Sequence, residues 1–255
     1  MKRIYVCHDT LTGIYSALHD AWVESRNGDA GIRFRGRIQQ QLFCDYHIVE
    51  ENEDKVIKIE RLIKRHLGYN AYWAVYHALL SDEEQKAEAV FHTMQEARRI
   101  ADSQKIMDHL GNESVAMVFE LSRRVSNESH MYKEFIRFRE IQNGVLVSEI
   151  SPRTQVLTCI ADHFADRFPL ENWMIIDRTH HVTLLHKAKG PCRLLWDADP
   201  DSEALSKLSD EEEKYENLWK GFFDSVSIRE RENPKLQQSH LPLRYRDMMP
   251  EFTGD

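Results

Sequence analysis

The segment from His130 to Glu140 combines aromatic and cationic side chains in a pattern that could contact nucleic acid. On a helix, Met131, Phe135 and Phe138 would form one apolar stripe, because they stand four and three residues apart. A helix anchored by that stripe would hold a basic face outward, where it could contact phosphate groups. The cationic candidates of this segment are His130, Lys133, Arg137 and Arg139.

Two other interpretations of the same segment stay open. The aromatic rings could stack on nucleobases, or they could be core residues of an ordinary amphipathic helix, which the residue types favour. Arg137 and Arg139 could bind an anion or form internal salt bridges, and the sequence does not decide between these roles.

A second basic stretch lies near the end of the chain, where Trp219 to Arg246 contains six basic and three acidic residues. Its candidates for nucleic-acid contact are Arg229, Arg231, Asn233 and Lys235. The helix predicted just before them is amphipathic, and its apolar face could bind a protein partner. The candidates on that face are Trp219, Phe222 and Phe223.

Metal and acid–base chemistry have weaker support. Asp162 and Asp166 lie one helical turn apart, but acids on helix surfaces are common. His180 and His186 could share one face of a strand, but six residues separate them by about 20 Å, too far for one ion. The four cysteines have no paired spacing, and the phosphate-loop, zinc-protease and hydrolase motifs are missing. We expect no metal and no cofactor, and the catalytic residues, if any, stay unknown.

The overall net charge of −8 is only a weak argument against a nucleic-acid partner. Between Asp199 and Glu216, eight acids and two lysines account for −6 of that total. Because phosphate groups respond to local patches of charge, the rest of the chain could still bind nucleic acid.

No apolar run approaches the roughly 20 residues that cross a membrane. The N-terminus has only four residues between Arg3 and His8, whereas a secretory signal needs an apolar stretch of about 7 to 15. We expect a cytoplasmic protein without a membrane partner. The oligomeric state is open.

An α+β fold is expected to position these candidates, because strands and helices come in mixed order without regular alternation. The strand Arg3 to Cys7 and two hairpins are expected to form a mixed or antiparallel sheet. Asn143-Gly144 predicts a type I′ turn in the first hairpin, and Trp173 to Ile176 pairs with Val182 to His186 in the second. We expect a single domain over 1–255, with a helical subregion at about 52–128 and an acidic connecting segment at about 198–216.

Several stretches of the chain resemble a bacterial family of DNA repair or DNA metabolism proteins. They are YVCHDTLTGIYSALHDAW, HMYKEFIRFREIQNG, PRTQVLTCIADHFADRFPLENWMIID and WKGFFDSVSIRERENPKLQQSHLPLRYRDMMPEF. The resemblance runs nearly from end to end. It implies pairing with a radical-SAM protein of DNA modification or repair, and a related domain occurs fused to uracil-DNA glycosylase-type domains. The activity of the family itself is not established, and the resemblance implies no catalytic residue.

Three functions follow as hypotheses. The preferred one is an accessory protein of DNA metabolism or repair, which binds nucleic acid, a radical-SAM partner, or both. The alternatives are an enzyme acting on a nucleobase or nucleotide, with His130, Asp162 or Asp166 as its acid–base group, and a protein-interaction module without catalysis.

Overall fold

The structure is a computed structural model, and it describes residues 2–24, 30–37, 42–197, 205, 207–226, 233–246 and 249–252. The chain divides into two compact units, Met1–Ser126 and Asn127–Asp255. Within the described residues, no helix combines the length and apolar character needed to cross a membrane.

A parallel sheet of three strands lies in the first unit, in the order β2-β1-β3. Its strands are β1 (Lys2–Cys7), β2 (Ala30–Phe34) and β3 (Cys44–Ile48). The centre of β1 carries aromatic and β-branched residues, which favour strands. Since both neighbours run parallel to β1, the carboxyl ends of all three strands meet at one edge of the sheet.

Helices form most of the first unit, and they pack their apolar faces into one core with the sheet. Ile14, Ile63 and Phe91, from three of these helices, are at most 1% exposed. The bounds are α1 (Leu11–Glu24), α2 (Glu53–His66), α3 (Gly68–Leu79), α4 (Lys86–Ala97), a 3-10 helix (Ser103–Asp108) and α5 (Glu113–Phe135), whose last turns belong to the second unit.

The second unit contains a mixed sheet of five strands in the order β4-β5-β6-β7-β8. Only β5 and β6 are parallel neighbours in it, and α6 (Leu157–Arg167) makes the crossover that parallel strands need. The strands are β4 (Arg139–Glu140), β5 (Leu146–Ile150), β6 (Trp173–Asp177), β7 (Val182–His186) and β8 (Cys192–Trp196). Trp173 is 1% exposed and lies in the core of this unit.

Two more α-helices are described after the sheet, α7 (Asp210–Val226) and α8 (Pro234–His240), followed by the 3-10 helix Leu243–Tyr245. Four acids fill the first turn of α7, where they stabilise the positive end of the helix dipole. The second half of the predicted acidic segment is therefore helical. The part that falls on 198–204 and 206 lies outside the described residues.

The predicted α+β class and both hairpins are confirmed. The N-terminal strand, however, lies in a separate parallel sheet and does not join the hairpins. In the first hairpin, Gly144 has a φ of 75° whereas Asn143 has a negative φ. A type I′ turn needs positive φ at both central residues, so the predicted turn type is wrong. The single domain over 1–255 stays a prediction.

The prediction of one helix from His130 to Glu140 is confirmed only as far as Phe135. Helix α5 ends at Phe135, and Arg139 and Glu140 form β4, which pairs with β5. Arg139 and Glu140 form hydrogen bonds with β5 across the Gly144 turn, and these replace the hydrogen bonds of a longer helix. The spacing of apolar residues along the sequence does not reveal such pairing.

Candidate functional site

A groove of about 340 Å³ lies in the second unit, beside the residues that connect α5 to β4. We call it the aromatic groove. Arg137 and Arg139, both predicted from the sequence, line it together with Trp219 of α7. Its other lining residues are Phe138, Glu212, Tyr215, Glu216, Pro250 and Glu251. Its volume lies in the range of small-ligand pockets.

Phe138 anchors the connecting segment in the core of the second unit. Its ring makes edge-on contacts with Phe164 and Phe168, with 5.4 Å between ring centroids in both cases, and it lies 6.1 Å from the ring of Trp173. Such aromatic contacts fix ring positions. Phe138 therefore holds its two neighbouring arginines in place at the groove.

Backbone hydrogen bonds hold the start of α7 against β4. The Gln142 amide donates to the Lys207 carbonyl and the Ser209 amide donates to the Glu140 carbonyl, each over 3.0 Å. Ser209 then caps α7, because its hydroxyl accepts a hydrogen bond from the Glu212 amide at 3.1 Å. One face of α7 thus becomes a wall of the groove.

Tyr215 and Trp219 form that wall, one helical turn apart on α7. Their exposed fractions are 66% and 43%, high values for aromatic side chains. The indole Nε1 of Trp219 donates a hydrogen bond to Glu251 Oε2 at 3.0 Å, which fixes the ring and leaves part of its surface in contact with solvent. The groove therefore offers aromatic surface to a flat ligand.

The carboxylates of the groove differ in their partners. Arg139 Nε lies 3.1 Å from Glu216 Oε1, so the charges of this pair offset one another. Glu212 Oε2 accepts a hydrogen bond from the Glu140 amide at 3.1 Å. Burial raises the pKa of Glu212, and the nearby charge of Glu216 raises it further. Protonation of Glu212 is thus easier than that of an ordinary carboxyl.

Arg137 is the cation that the groove offers to a ligand. Its Nη1 donates to the Glu134 and Ile136 carbonyls, each at 3.3 Å. In the part of the chain that the structure describes, no carboxylate forms an ion pair with Arg137. Its role differs from that of Arg139, which is only 25% exposed and forms an internal salt bridge.

A second cavity beside Arg137 is too small for a ligand. Its volume is about 10 Å³, room for about one water molecule. Tyr132 and Ser148 line it, and their buried hydroxyls have no hydrogen-bond partner among the described residues. Burial raises the pKa of Tyr132, and the nearby Glu128 raises it further, so this hydroxyl stays protonated.

The remaining candidates do not line the aromatic groove. His130 is 72% exposed and pairs with Glu134 at 3.0 Å, and Lys133 is half-buried on α5. Asn233 caps α8, since its side chain accepts a hydrogen bond from the Leu236 amide at 3.1 Å, and Lys235 is exposed in the first turn. Arg229 and Arg231 lie outside the described residues.

The two other aromatic candidates of α7 have different environments. Phe222 is 56% exposed. Phe223 is half-buried, and its ring lies 6.2 Å from that of Phe252. Phe222 therefore remains a candidate for partner binding, while Phe223 packs within the second unit.

The described residues contain no group of three histidines, cysteines or acids that could hold a metal ion. Asp162 and Asp166 are exposed on α6. His180 Nδ1 lies 2.7 Å from Asp177 Oδ2, and both residues belong to the turn of the second hairpin. None of the three acid–base candidates of the enzyme hypothesis lines a described cavity. The enzyme hypothesis stays a prediction.

Five residues of the groove were not predicted from the sequence, and these are Glu212, Tyr215, Glu216, Pro250 and Glu251. Tyr215 could have been found, because it stands one helical turn before Trp219. Glu212 and Glu216 gave no such signal, since they belong to a stretch whose charge alone suggests a solvated segment.

Comparison with known proteins identifies a family for this chain. The model of the DUF4130 family, a domain of unknown function, matches residues 84–251. The chain belongs to the DUF4130 family. The match includes the entire aromatic groove and confirms the resemblance to a family of uncharacterised activity. Among curated proteins, none matches this DUF4130 protein.

Proposed function

We propose that the protein is an accessory protein of DNA metabolism, whose aromatic groove holds an unpaired base of single-stranded DNA. The observation that carries this proposal is the position of Tyr215 and Trp219, side by side and exposed, in a groove that also contains Arg137. Aromatic side chains stack on bases of any sequence, and a nearby cation contacts the backbone.

The charges of the groove favour contact with a base over extensive contact with phosphates. Arg139 is neutralised by Glu216, and Glu212 and Glu251 add negative charge. Arg139 thus forms the internal salt bridge that the sequence left open as an alternative to anion binding. Carboxylates can accept hydrogen bonds from the amino groups of a base. One contact between Arg137 and phosphate fits this groove, and a long series of such contacts does not.

The link to DNA rests on the family resemblance of the sequence, and the groove adds a mode of binding to it. A groove of about 340 Å³ has room for a base. In a duplex the base faces are stacked, so a protein that stacks on them prefers single strands. We therefore expect single-stranded DNA to bind better than the duplex of the same sequence.

The first test measures the binding of a fluorescein-labelled oligothymidine by fluorescence anisotropy at low salt. Trp219→Ala should raise Kd by about 5- to 150-fold, which corresponds to about 1–3 kcal/mol of lost stacking. Trp219→Phe should retain most of the affinity. The matched control is Leu218→Ala, since Leu218 is 68% exposed on the same helix and does not line the groove. Equal affinities of the wild-type and Trp219→Ala proteins would refute the proposal.

The salt dependence of the same binding counts the phosphate contacts. Each contact with single-stranded DNA contributes about −0.7 to the slope of log K against log salt. Arg137→Ala should make the slope shallower by about that amount. Arg167→Ala is the control, because Arg167 is exposed on α6 outside the groove. A wild-type slope steeper than about −3 would indicate four or more contacts and contradict the groove-centred mode.

A second function has a separate observation in its favour. Leu218, Phe222 and Val226 recur at helical spacing on α7 and are 68%, 56% and 54% exposed. An exposed apolar stripe of this kind is typical of a surface that binds another protein. We infer that it docks the radical-SAM partner that the family resemblance implies.

Double substitution separates the two functions. Leu218→Asp with Val226→Asp should abolish co-purification with the radical-SAM protein and leave binding of the oligothymidine within about twofold of wild type. Phe222 is left unchanged, because its ring lies 5.9 Å from that of Trp219. Trp219→Ala should weaken binding of the oligothymidine and leave co-purification with the radical-SAM protein intact. Persistent co-purification of the doubly substituted protein would exclude the stripe as the docking surface.

A further inference from the structure

The carboxyl edge of the parallel sheet in the first unit gathers polar side chains from three strand ends. His8, Asp9 and Thr10 follow β1, Arg35 follows β2, and Glu51 lies shortly after β3. Ligands of open parallel sheets bind at this edge, outside the carboxyl ends of the strands. The edge shares no residue with the aromatic groove.

A buried lysine fixes one of these side chains, that of Asp9. Lys86 of α4 is 1% exposed, and its Nζ lies 2.7 Å from Asp9 Oδ1. The same ammonium donates to the Ser81 carbonyl at 2.7 Å. A buried charge needs such partners. Asp9 itself keeps 35% of its side chain exposed, so Lys86 fixes a carboxyl group that still reaches the surface.

Arg35 places a guanidinium beside His8, at the neighbouring strand end. Its Nη1 lies 3.2 Å from His8 Nε2, and both side chains are exposed. Among the described residues, no carboxylate pairs with Arg35, whereas Arg37 has Glu84 at 3.5 Å. The guanidinium of Arg35 is therefore available at this edge to bind an anion.

The loop between β1 and α1 is held in one conformation. The Thr10 hydroxyl donates to Glu51 Oε1 at 2.6 Å and accepts from the Gly13 amide at 2.9 Å. A side chain at Gly13 would come within 2.8 Å of the His8 carbonyl, so the loop packs closely on the first turn of α1. Preorganised groups of this kind lower the entropic cost of binding.

Nucleophilic chemistry by the nearby thiol does not fit this edge. Burial, together with the negative charges of Asp9 and Glu51, raises the pKa of Cys7 to about 12. The Cys7 thiol is therefore protonated at neutral pH and is a poor nucleophile. The groups that remain are suited to binding: a guanidinium with an imidazole beside it, and a fixed carboxylate.

We propose that this edge binds a nucleoside phosphate. Arg35, oriented by His8, contacts the phosphate, because guanidinium groups match phosphate oxygens in geometry and charge. The Asp9 carboxylate accepts hydrogen bonds from a sugar hydroxyl or from an amino group of the base. Lys86 is a positioning residue that holds the Asp9 carboxylate in place.

The test is isothermal titration calorimetry of the full chain with deoxythymidine monophosphate, deoxyadenosine monophosphate and inorganic phosphate. The wild-type protein should bind the nucleotides more tightly than phosphate. Arg35→Ala should weaken both kinds of ligand by tenfold or more. Asp9→Asn should weaken the nucleotides by about tenfold and leave phosphate binding within twofold. The matched control is Arg61→Ala, because Arg61 is exposed on α2 away from the strand ends.

Asp9→Asn removes the partner of a buried charge and could unfold the first unit, so circular dichroism must show that each variant is folded. If Asp9→Asn does not fold, Arg35→Ala still decides the question, since Arg35 is exposed. Two results would overturn the proposal: no saturable binding of nucleotides at millimolar concentration, or unchanged affinity in folded Arg35→Ala. Equal affinity for phosphate and nucleotides would overturn the nucleoside part. Loss of oligothymidine binding through Trp219→Ala, with nucleotide binding unchanged, would show that the two sites are separate.

Discussion

Two largely buried acids, one in each unit, have different partners. In the first unit, Glu88 lies among Arg33, Lys2 and His92. In the second, the carboxylate of Glu128 accepts two backbone N–H groups and one hydroxyl, and it pairs with Arg244 at 3.5 Å. Basic side chains thus surround the acid of the first unit, whereas that of the second combines three neutral donors with one cation.

Glu212 extends this comparison, because it has the fewest partners of the three acids. Burial by itself raises the pKa of Glu88, but hydrogen bonds from His92 and Arg33 outweigh it and lower that pKa to about 2. In Glu212 the effect of burial prevails, and the pKa rises. A carboxylate matched by cations stabilises the fold, whereas one left with a single donor in a groove costs stability and is typical of a functional site.

The largest loss of stability is expected from Glu128→Ala. Glu128 is 6% exposed, and its removal leaves the Arg153 and Thr154 amides and the Thr154 hydroxyl without their acceptor. Urea denaturation at pH 7 should show a loss of about 3–5 kcal/mol. The control Glu134→Ala, on the same helix but 49% exposed, should change stability by less than about 0.5 kcal/mol. A loss below about 1 kcal/mol would mean that solvent replaces the carboxylate.

The partners of Glu128 show what the sequence could not predict. Nothing in the spacing of Glu128, Arg153 and Thr154 indicates that they meet, because the contact joins the end of a helix to a distant loop. The fold class was predictable, since hydrophobic periodicity and turn residues are local signals. The strands β2 and β8 were not predicted, because neither AGIRF nor CRLLW alternates strictly between apolar and polar residues.

The candidate site was predictable only in part for the same reason. Arg137 and Trp219 were singled out by residue type, but their meeting in one groove depends on the pairing of residues 207–209 with 140–142. On charge alone, Arg137 and Arg139 were equal candidates for nucleic-acid contact. The structure separates them through Glu216, which pairs with Arg139.

An intermediate loss of stability is expected from Glu88→Gln. The pKa of Glu88 is lowered from 4.5 to about 2, and a shift of that size corresponds to about 3 kcal/mol of stability at neutral pH. Because the folded state binds the proton less tightly than the unfolded state, this stability is present above about pH 4.5 and is lost as the pH falls towards 2.

Urea denaturation from pH 7 to pH 3 measures that loss. The difference between the wild-type and Glu88→Gln proteins should be about 3 kcal/mol at pH 7 and should shrink as the solution becomes acidic. Glu96→Gln on the same helix, whose carboxylate pairs with the exposed Arg99, should cost less than about 1 kcal/mol. A difference that stays constant with pH would show that the ionised carboxylate of Glu88 is not the stabilising group.

The smallest effect, with the opposite sign, is expected from Glu212→Gln. Since the pKa of Glu212 is raised above 4.5, the folded state binds the proton more tightly than the unfolded state. Stability from this residue is therefore greatest at low pH and is lost as the pH rises through the folded pKa. A glutamine can still accept the hydrogen bond from the Glu140 amide and carries no charge. Glu212→Gln should therefore raise the free energy of unfolding at pH 7 by up to about 1 kcal/mol and leave it unchanged at pH 4. If this substitution destabilises the protein at pH 7 as Glu88→Gln does, the contrast between the two acids is wrong, and Glu212 is a structural residue of the fold.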